Sequence, residues 1–401
     1  MDQGTDATKH IKFQRGVYQA VLHTGGWIYV LISRFSFKKY KPKSKTFLLV
    51  GNHNMALDPF QAVITTRRHI RFVSNDAILK SFWGPALSFF VGPISRKRGA
   101  STDETVEVIL ENLRSGISVA MYPESERSWD GRTQVISKKT AVLAKESGAG
   151  LVTMQTNGSY LRTPHWARAK RNGPTFGRVM HEYTADDLEK MSVDEIYEAI
   201  CEDLYVDAFE FNRIHMKKYR GRNLAENVEL LCYICPKCEA IGQMSSEGDY
   251  VKCEACGYTL KYNVYGFFEG EEVIYDNTAL WSSWQKSWLK ENAGRLKKQT
   301  EKPILSNKGV NISVKDEDGN MNDLLKDAFS YFYGDRIEIV KDGRVCFSFK
   351  LEDISKLGAF GRRMLMFTCS GKYYKLWCEK EFISEYQYYG LWRVLTDREY
   401  Y

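Results

Sequence analysis

Short apolar runs alternate with amphipathic helical patterns through the first half of the chain. The apolar runs lie at residues 47–50, 117–122 and 150–155, and the helical patterns lie at residues 59–66, 103–115 and 138–147. Alternation of this kind is typical of α/β folds, in which helices cover both faces of a sheet. The pattern therefore predicts an α/β domain with a mostly parallel sheet flanked by helices.

The pattern changes after residue 260. A tryptophan-rich helix is predicted at 279–292, followed by a linker at 297–311 and a closing helix at 381–396. Strand-like segments with Lys-Asp-Gly and Ser-Gly turns lie between them, at residues 336–341, 344–351, 363–369 and 372–378. The order of these elements predicts a β-rich C-terminal domain that resembles a pleckstrin-homology-like domain.

The N-terminal segment is basic and partly apolar. Nine Lys/Arg and no acidic residue lie between Lys9 and Lys45, around an uncharged stretch at residues 16–33. Gly25 and Gly26 weaken this stretch as a single membrane-spanning helix, so an interfacial or re-entrant anchor is the favoured interpretation. A true span and a buried core helix are the alternatives. A secretory signal is not expected, because a lysine-rich run at 38–45 replaces the cleavage site.

Composition sets broad limits. The 401 residues are 43% hydrophobic and 27% charged with a net charge of +7, which excludes collagen-like and wholly disordered chains and a polytopic membrane protein. Five of the nine cysteines lie within residues 232–256, an arrangement that favours metal binding in a reducing compartment over disulfides.

Two Cys-x2-Cys pairs stand out in that run: Cys235 with Cys238, and Cys253 with Cys256. Two such knuckles supply the four thiolates of a tetrahedral Zn(II) site, and the segment resembles a zinc ribbon. A four-thiolate site has no open position, so the predicted role of the zinc is structural. Cys232 is left over or competes with Cys238. Acidic residues between the knuckles argue against nucleic-acid binding, and the other four cysteines are expected to pack as small hydrophobic residues.

The first chemical signal is a His-x4-Asp pair, His53 and Asp58, directly after the apolar run 47–50. The two side chains meet only if the backbone turns between them. A histidine with a carboxylate behind it is a general base, and no serine or cysteine nucleophile is placed beside it. Asp58 also suits a helix N-cap before Pro59, which is compatible with the first role.

Here the chain resembles the glycerolipid acyltransferase family, whose members include lysophosphatidic acid acyltransferases. Asn52-His53-x4-Asp58 matches the first block of the family, residues 92–98 (GPISRKR) the second, and residues 122–128 (YPESERS) the third. Residues 151–156 stand where the fourth block belongs. The blocks follow one another in the family's order between residues 52 and 156.

The resemblance implies a role for each matched residue. His53 takes the proton of an acceptor hydroxyl that attacks an acyl thioester directly, and Asp58 orients the imidazole. Arg98 and Arg127, aided by Arg96, hold an acceptor phosphate, and Glu124 positions the acceptor or organises those arginines.

Four residues depart from the family's pattern. Ser125 and Glu126 replace a glycine and a threonine beside the proposed phosphate pocket, and Thr153 and Gln155 stand at positions where apolar residues or proline are expected. These departures weaken the assignment of the substrate more than that of the reaction.

The sequence therefore predicts an enzyme, a membrane-associated acyltransferase. It would use acyl-CoA or acyl carrier protein as donor and a lysophospholipid-like alcohol as acceptor, with no catalytic metal or organic cofactor. The expected location is the cytoplasmic face of a membrane, peripheral or monotopic, and nucleic acid is not an expected partner. The alternative is a non-catalytic zinc-ribbon binding or scaffold protein with a degenerate acyltransferase domain.

The predicted segments are a basic membrane-facing segment, the acyltransferase domain, a zinc ribbon, a helical linker and the β-rich domain, at residues 1–45, 46–225, 226–265, 266–310 and 311–401.

Overall fold

The computed structural model describes residues 13–20, 22, 25–75, 84–96, 102–124, 127–316, 320–359, 364–379 and 383–398. The chain divides into two compact units. Unit 1 falls within residues 1–163 and 172–219, and unit 2 within residues 164–171 and 220–401. The short segment 164–171 thus belongs with the C-terminal half, although its neighbours on both sides belong to unit 1.

Unit 1 is built on a seven-stranded sheet with the order β1-β7-β6-β2-β5-β3-β4. Every pair of neighbouring strands is parallel except β6 with β7, which confirms the predicted mostly parallel sheet. All five residues of the central strand β2 are buried, as expected where helices cover both faces. The strands are β1 Phe35–Phe37, β2 Phe47–Gly51, β3 Ile70–Asn75, β4 Ile94–Arg96, β5 Ser118–Met121, β6 Gly150–Asn157 and β7 Thr175–Tyr183.

Helices flank this sheet, with one hydrophobic cluster on each face. Leu48 and Val50 pack into the first cluster, and Phe47 and Leu49 into the second, because successive residues of a strand point to opposite faces. The helices are α1 Gly25–Ser33, α2 Asp58–Thr66, α3 Gly84–Phe90, α4 Thr102–Arg114, α5 Lys139–Glu146, α6 Ser159–Arg162, α7 Ala185–Lys190, α8 Val193–Leu204 and α9 Ala208–His215.

The N-terminal stretch predicted at 16–33 is described in two parts, a helical segment at 13–20 and the nine-residue helix α1. Val21, His23 and Thr24 lie outside the described residues. Within the described part of the chain, no helix combines the length and the apolar character needed to cross a membrane.

Unit 2 begins with a small four-stranded antiparallel sheet in the order β11-β10-β9-β8. The predicted tryptophan-rich helix follows as α10, with Trp281 and Trp288 buried in it. The elements are β8 Met244–Glu247, β9 Tyr250–Cys253, β10 Thr259–Tyr262, β11 Phe268–Glu269, α10 Thr278–Glu291 and α11 Ala293–Lys297.

A second seven-stranded sheet completes unit 2, antiparallel throughout, in the order β15-β14-β13-β12-β18-β17-β16. The C-terminal helix α12 buries Tyr388, Leu391 and Trp392 in the same hydrophobic cluster as the strands, so the predicted β-rich region with a terminal helix is confirmed. The elements are β12 Leu305–Lys315, β13 Met321–Phe332, β14 Arg336–Lys341, β15 Arg344–Lys350, β16 Ile354–Ala359, β17 Met364–Cys369, β18 Lys372–Cys378 and α12 Glu385–Leu395.

The sequence pattern missed three of these strands, β12, β13 and β16. The register between β12 and β13 shifts three times between Asn307 and Ser313, so the alternation of apolar and polar residues is broken along β12. Asp327 in β13 has a φ of +52°, a left-handed conformation that also interrupts the strand pattern. Residues 305–311 of the predicted linker at 297–311 belong to β12.

Candidate active site

His53 lies in the loop that follows the central strand β2 and precedes α2. The preceding residue fixes this loop to the end of β6: the Asn52 side chain accepts a hydrogen bond from the Thr156 N–H at 2.7 Å and donates one to the Thr156 carbonyl at 2.9 Å. Carboxyl ends of parallel strands are where α/β folds present reactive groups, and His53 occupies such an end.

The predicted pairing of His53 with Asp58 is present. His53 Nδ1 lies 3.1 Å from Asp58 Oδ2, and the same oxygen accepts the backbone N–H groups of Asn54 and Met55 at 2.7 and 2.8 Å. The Asp58 side chain is fully buried, and that of His53 is 23% exposed. Since a carboxylate only accepts, Nδ1 carries the shared hydrogen and Nε2 is the nitrogen left to take a proton.

The suggested N-cap role of Asp58 is not observed. Leu57 is the N-cap residue of α2 and makes no side-chain cap, whereas Asp58 is already helical and Pro59 follows it within the first turn. The Asp58 carboxylate turns back onto the loop instead. It closes the turn between His53 and the helix and contacts the His53 ring.

A tyrosine covers one face of the His53 ring. The rings of His53 and Tyr122 are stacked with centroids 4.7 Å apart, and burial raises the pKa of Tyr122 well above its ordinary value, so its hydroxyl stays neutral. A Cβ atom at Gly51 would lie 3.1 Å from the Tyr122 ring. The glycine at the end of β2 therefore leaves space for the ring that orients His53.

Glu124 braces the backbone of His53. This carboxyl is 5% exposed, and its two oxygens accept the N–H groups of His53 and Gln134, both at 2.6 Å. Burial raises the pKa of Glu124 to about 8, although the two N–H donors act in the opposite direction. The Ser128 N–H donates to the His53 carbonyl at 3.1 Å. Residues of the third block therefore bind both the N–H and the carbonyl of His53.

Of the three predicted arginines, the structure describes Arg127, only the backbone of Arg96, and nothing of Arg98. Arg127 is partly exposed and directly precedes Ser128, which places its backbone next to the residue that holds the His53 carbonyl. Arg96 is the last residue of β4, but its side chain lies outside the described part, as does Arg98 entirely. Ser125 and Glu126 also lie outside it. The phosphate site formed by these arginines stays a prediction.

The unexpected polar residues of the fourth block have partners in the structure. Thr153 Oγ1 donates to Asp203 Oδ2 at 2.6 Å, and Gln155 Nε2 donates to the Tyr205 carbonyl at 2.7 Å. Asp203 also lies 2.6 Å from His181 Nδ1. Both fourth-block side chains thus hold the C-terminal end of α8. Sequence reasoning missed Asp203 and His181, and their separation of 22 residues gave no signal that would pair them.

The four predicted zinc ligands form one cluster in unit 2. The Sγ atoms of Cys235 and Cys256 are 3.7 Å apart, as are those of Cys238 and Cys253, and all four lie within 4.8 Å of one another. A tetrahedron with Zn–S bonds of about 2.3 Å has edges of about 3.8 Å, so the four thiols fit a zinc ion. Cys232 is buried outside this cluster, so the structure groups Cys238, and not Cys232, with the other three cysteines.

The remaining cysteines only partly match the expected packing. Cys369 and Cys378 are buried and Cys201 is partly buried. Cys346 is exposed on the edge strand β15, so the expectation that it packs as a small hydrophobic residue is wrong.

Known proteins match part of the chain. Residues 33–159, which fall within unit 1, match the family described as Acyltransferase. The crystal structure of the 1-acyl-sn-glycerophosphate (LPA) acyltransferase PlsC from Thermotoga maritima is similar at 16% identity, with a TM-score of 0.42. That match covers 51% of this chain and 82% of the Thermotoga protein. No curated protein sequence matches this chain.

Proposed function

We propose that this protein transfers a fatty acyl group from acyl-CoA or acyl carrier protein to the hydroxyl of a lysophospholipid, with His53 as general base. The observation that supports this best is the His53–Asp58 pair, inside the segment that matches the acyltransferase family. Glu124 and Ser128 hold the histidine backbone, and Tyr122 holds the ring, so the base is fixed before any substrate binds.

The proposed reaction needs no covalent intermediate on the protein. His53 Nε2 takes the proton of the acceptor hydroxyl while the hydroxyl oxygen attacks the thioester carbonyl carbon. A C–O bond forms and the C–S bond breaks, and the thiol leaves with the proton returned by the imidazolium. Asp58 stabilises the imidazolium between these steps. In the same proposal, Arg96, Arg98 and Arg127 bind the acceptor phosphate through charge-assisted hydrogen bonds.

Transfer of labelled acyl groups tests the proposal. Acyl-CoA and acyl carrier protein are each offered with a panel of lysophospholipids and glycerol phosphates, to the wild type and to His53→Ala. Removing a general base typically lowers the rate 10²- to 10⁴-fold, and we expect a loss in that range for the variant. Absence of product with every acceptor, from folded and zinc-loaded protein with lipid present, would favour the degenerate scaffold instead.

We further propose that unit 1 works at a membrane surface. On helix α1, Trp27, Ile28, Leu31 and Ile32 are each more than half exposed to solvent. Exposed apolar side chains on one short helix, followed by the lysine-rich run 38–45, suit contact with a lipid surface.

The variant Leu31→Ser/Ile32→Ser should lower sedimentation with phospholipid vesicles. Leu324→Ser/Val345→Ser, which removes two exposed aliphatic side chains from unit 2, is the matched control. Equal sedimentation of both variants and the wild type would contradict membrane contact through α1.

For the cysteine cluster we propose structural Zn(II). Its four ligands come from two tight knuckles of a module with a small sheet, and metal binding supplies stability that such a module lacks by itself.

A further inference from the structure

The end of helix α9 carries an exposed surface that the proposed reaction does not use. Residues 213–218, here called the basic turn, contain Arg213, Lys217 and Lys218, and no acidic residue occurs between Phe211 and Arg222. Two aliphatic side chains lie among these cations: Ile214 is 79% exposed and Met216 is 54% exposed. Aliphatic side chains that lie among cations make this surface apolar and basic at once, a combination that suits the interface of a lipid bilayer.

The basic turn is held rigidly. The buried side chain of Asn212 donates to the Lys217 carbonyl at 2.9 Å and accepts from the Lys217 N–H at 2.8 Å. Between them Met216 has a φ of +48°, a left-handed conformation that is unfavourable for a residue with a side chain. The paired amide hydrogen bonds keep Met216 in this conformation, with its side chain exposed.

The basic turn and helix α1 are attached to the same short segment of unit 1. Tyr219, which follows the turn, is buried and donates to the Pro174 carbonyl at 3.1 Å. Arg162 donates to the carbonyls of Gly173 and Ser33 at 2.7 and 2.8 Å, which joins that segment to the last residue of α1. A Cβ atom at Gly173 would lie 2.2 Å from the Tyr219 ring, so this attachment requires glycine. The basic turn and α1 are therefore linked through residues 173–174 and the Arg162 side chain.

From this arrangement we infer that the basic turn is a second membrane contact, which binds the phosphate groups of an anionic phospholipid surface while Ile214 and Met216 enter the interface. The inference rests on the proposed function at a membrane surface. Cations with exposed aliphatic neighbours match such a surface in charge and in polarity. A protein surface that binds single-stranded nucleic acid presents aromatic rings on which bases stack. Here Tyr219 is buried, and the partly buried ring of Phe211 is stacked against His215 with centroids 4.1 Å apart.

The test measures binding of the full chain to vesicles of phosphatidylcholine alone and of phosphatidylcholine with phosphatidylglycerol. A lysine near an anionic surface contributes roughly fivefold in binding, so Lys217→Gln/Lys218→Gln should weaken binding to the anionic vesicles roughly 25-fold. The control is Lys139→Gln/Lys190→Gln, which removes the same charge from two exposed helical positions of unit 1. At high salt, where charge is screened, Ile214→Ser/Met216→Ser should bind the anionic vesicles more weakly than the wild type does.

Three results would overturn the inference: equal loss in the control, no preference of the wild type for anionic vesicles, or a loss of RNA binding in the lysine variant with vesicle binding unchanged. Unchanged thermal unfolding of each variant shows that the fold is intact.

Failure of the proposed function gives a different result. All of these variants should transfer acyl groups to a water-soluble short-chain acceptor at the wild-type rate. Absence of transfer by the wild type to any acceptor contradicts the enzyme itself, whatever the vesicle experiment shows.

Discussion

The cysteine cluster of unit 2 and the His53 site of unit 1 hold their reactive side chains in different ways. Each cysteine pair is separated by two residues, so a single turn of backbone brings both thiols to one point. His53 depends on partners far along the chain: Glu124 is 71 residues away, and the Asn52 contact with Thr156 spans 104 residues.

This difference separates what each site depends on. The proposed role of the cluster is to hold a small sheet together through a metal, so its loss should appear as lost structure. The His53 site is attached to a sheet whose core is complete without it, so its loss should appear as lost chemistry with the structure retained.

The largest effect is expected from removing zinc. Cys235→Ser/Cys253→Ser should abolish stoichiometric zinc binding and unfold the ribbon, since structural zinc sites in small modules contribute on the order of 10 kcal/mol. Metal content and hydrogen exchange of residues 232–262 measure this. Transfer to a water-soluble acceptor should persist, because the His53–Asp58 pair proposed to catalyse it lies in unit 1.

The reciprocal control is His53→Ala, which should lose transfer while its thermal unfolding and zinc content stay as in the wild type. If the cysteine variant lost all transfer with unit 1 still folded, the separation of the two sites would be wrong. Cys346→Ser, at an exposed cysteine outside the cluster, should change none of these quantities.

The same contrast explains how far sequence reasoning reached. The four-cysteine cluster and the His53–Asp58 pair follow from spacing, because each is formed from one or two turns of chain. The brace between Glu124 and the His53 N–H depends on how β2 and β5 are paired, and no local pattern encodes that distance. The sequence identifies Glu124 by its residue type and its place in the motif, but it does not predict which backbone N–H groups bind its carboxyl group.

The hydrogen bonds between Glu124 and the His53 loop can be broken by one substitution. In Glu124→Gln, one carboxyl oxygen becomes an NH₂ group that must face the N–H of either His53 or Gln134, so one of these two hydrogen bonds should be lost and the support of the His53 loop weakened. We expect kcat to fall roughly 10- to 100-fold with little change in KM, because the base is displaced while the acceptor pocket is untouched. Steady-state kinetics with a soluble acceptor measure both. A large rise in KM would instead indicate that Glu124 binds the acceptor.

The raised pKa of Glu124 gives a pH test of the same brace. Its pKa is raised from 4.5 to about 8, so between these values the folded protein keeps a proton that the unfolded chain has lost. This group therefore favours the folded state below about pH 4.5, and that contribution is lost as pH rises towards 8. Denaturant unfolding should show a stability decrease with pH in the wild type that is smaller in Glu124→Gln.

The smallest effect is expected at the fourth block. Thr153 is fully buried, donates to Asp203 and accepts the His181 N–H at 3.0 Å, so Thr153→Val leaves a buried carboxylate oxygen with one partner fewer. We expect a loss of about 1–3 kcal/mol in unfolding free energy and unchanged kcat.

Thr65→Val is the matched control: Thr65 is equally buried, and its hydroxyl has no hydrogen-bond partner in the described part of the chain. Its replacement should be neutral or stabilising. Because Thr153 holds α8 and not His53, a fall in kcat without a loss of stability would show that the fourth block acts on the catalytic site, and would undo the assignment of its polar residues to structure.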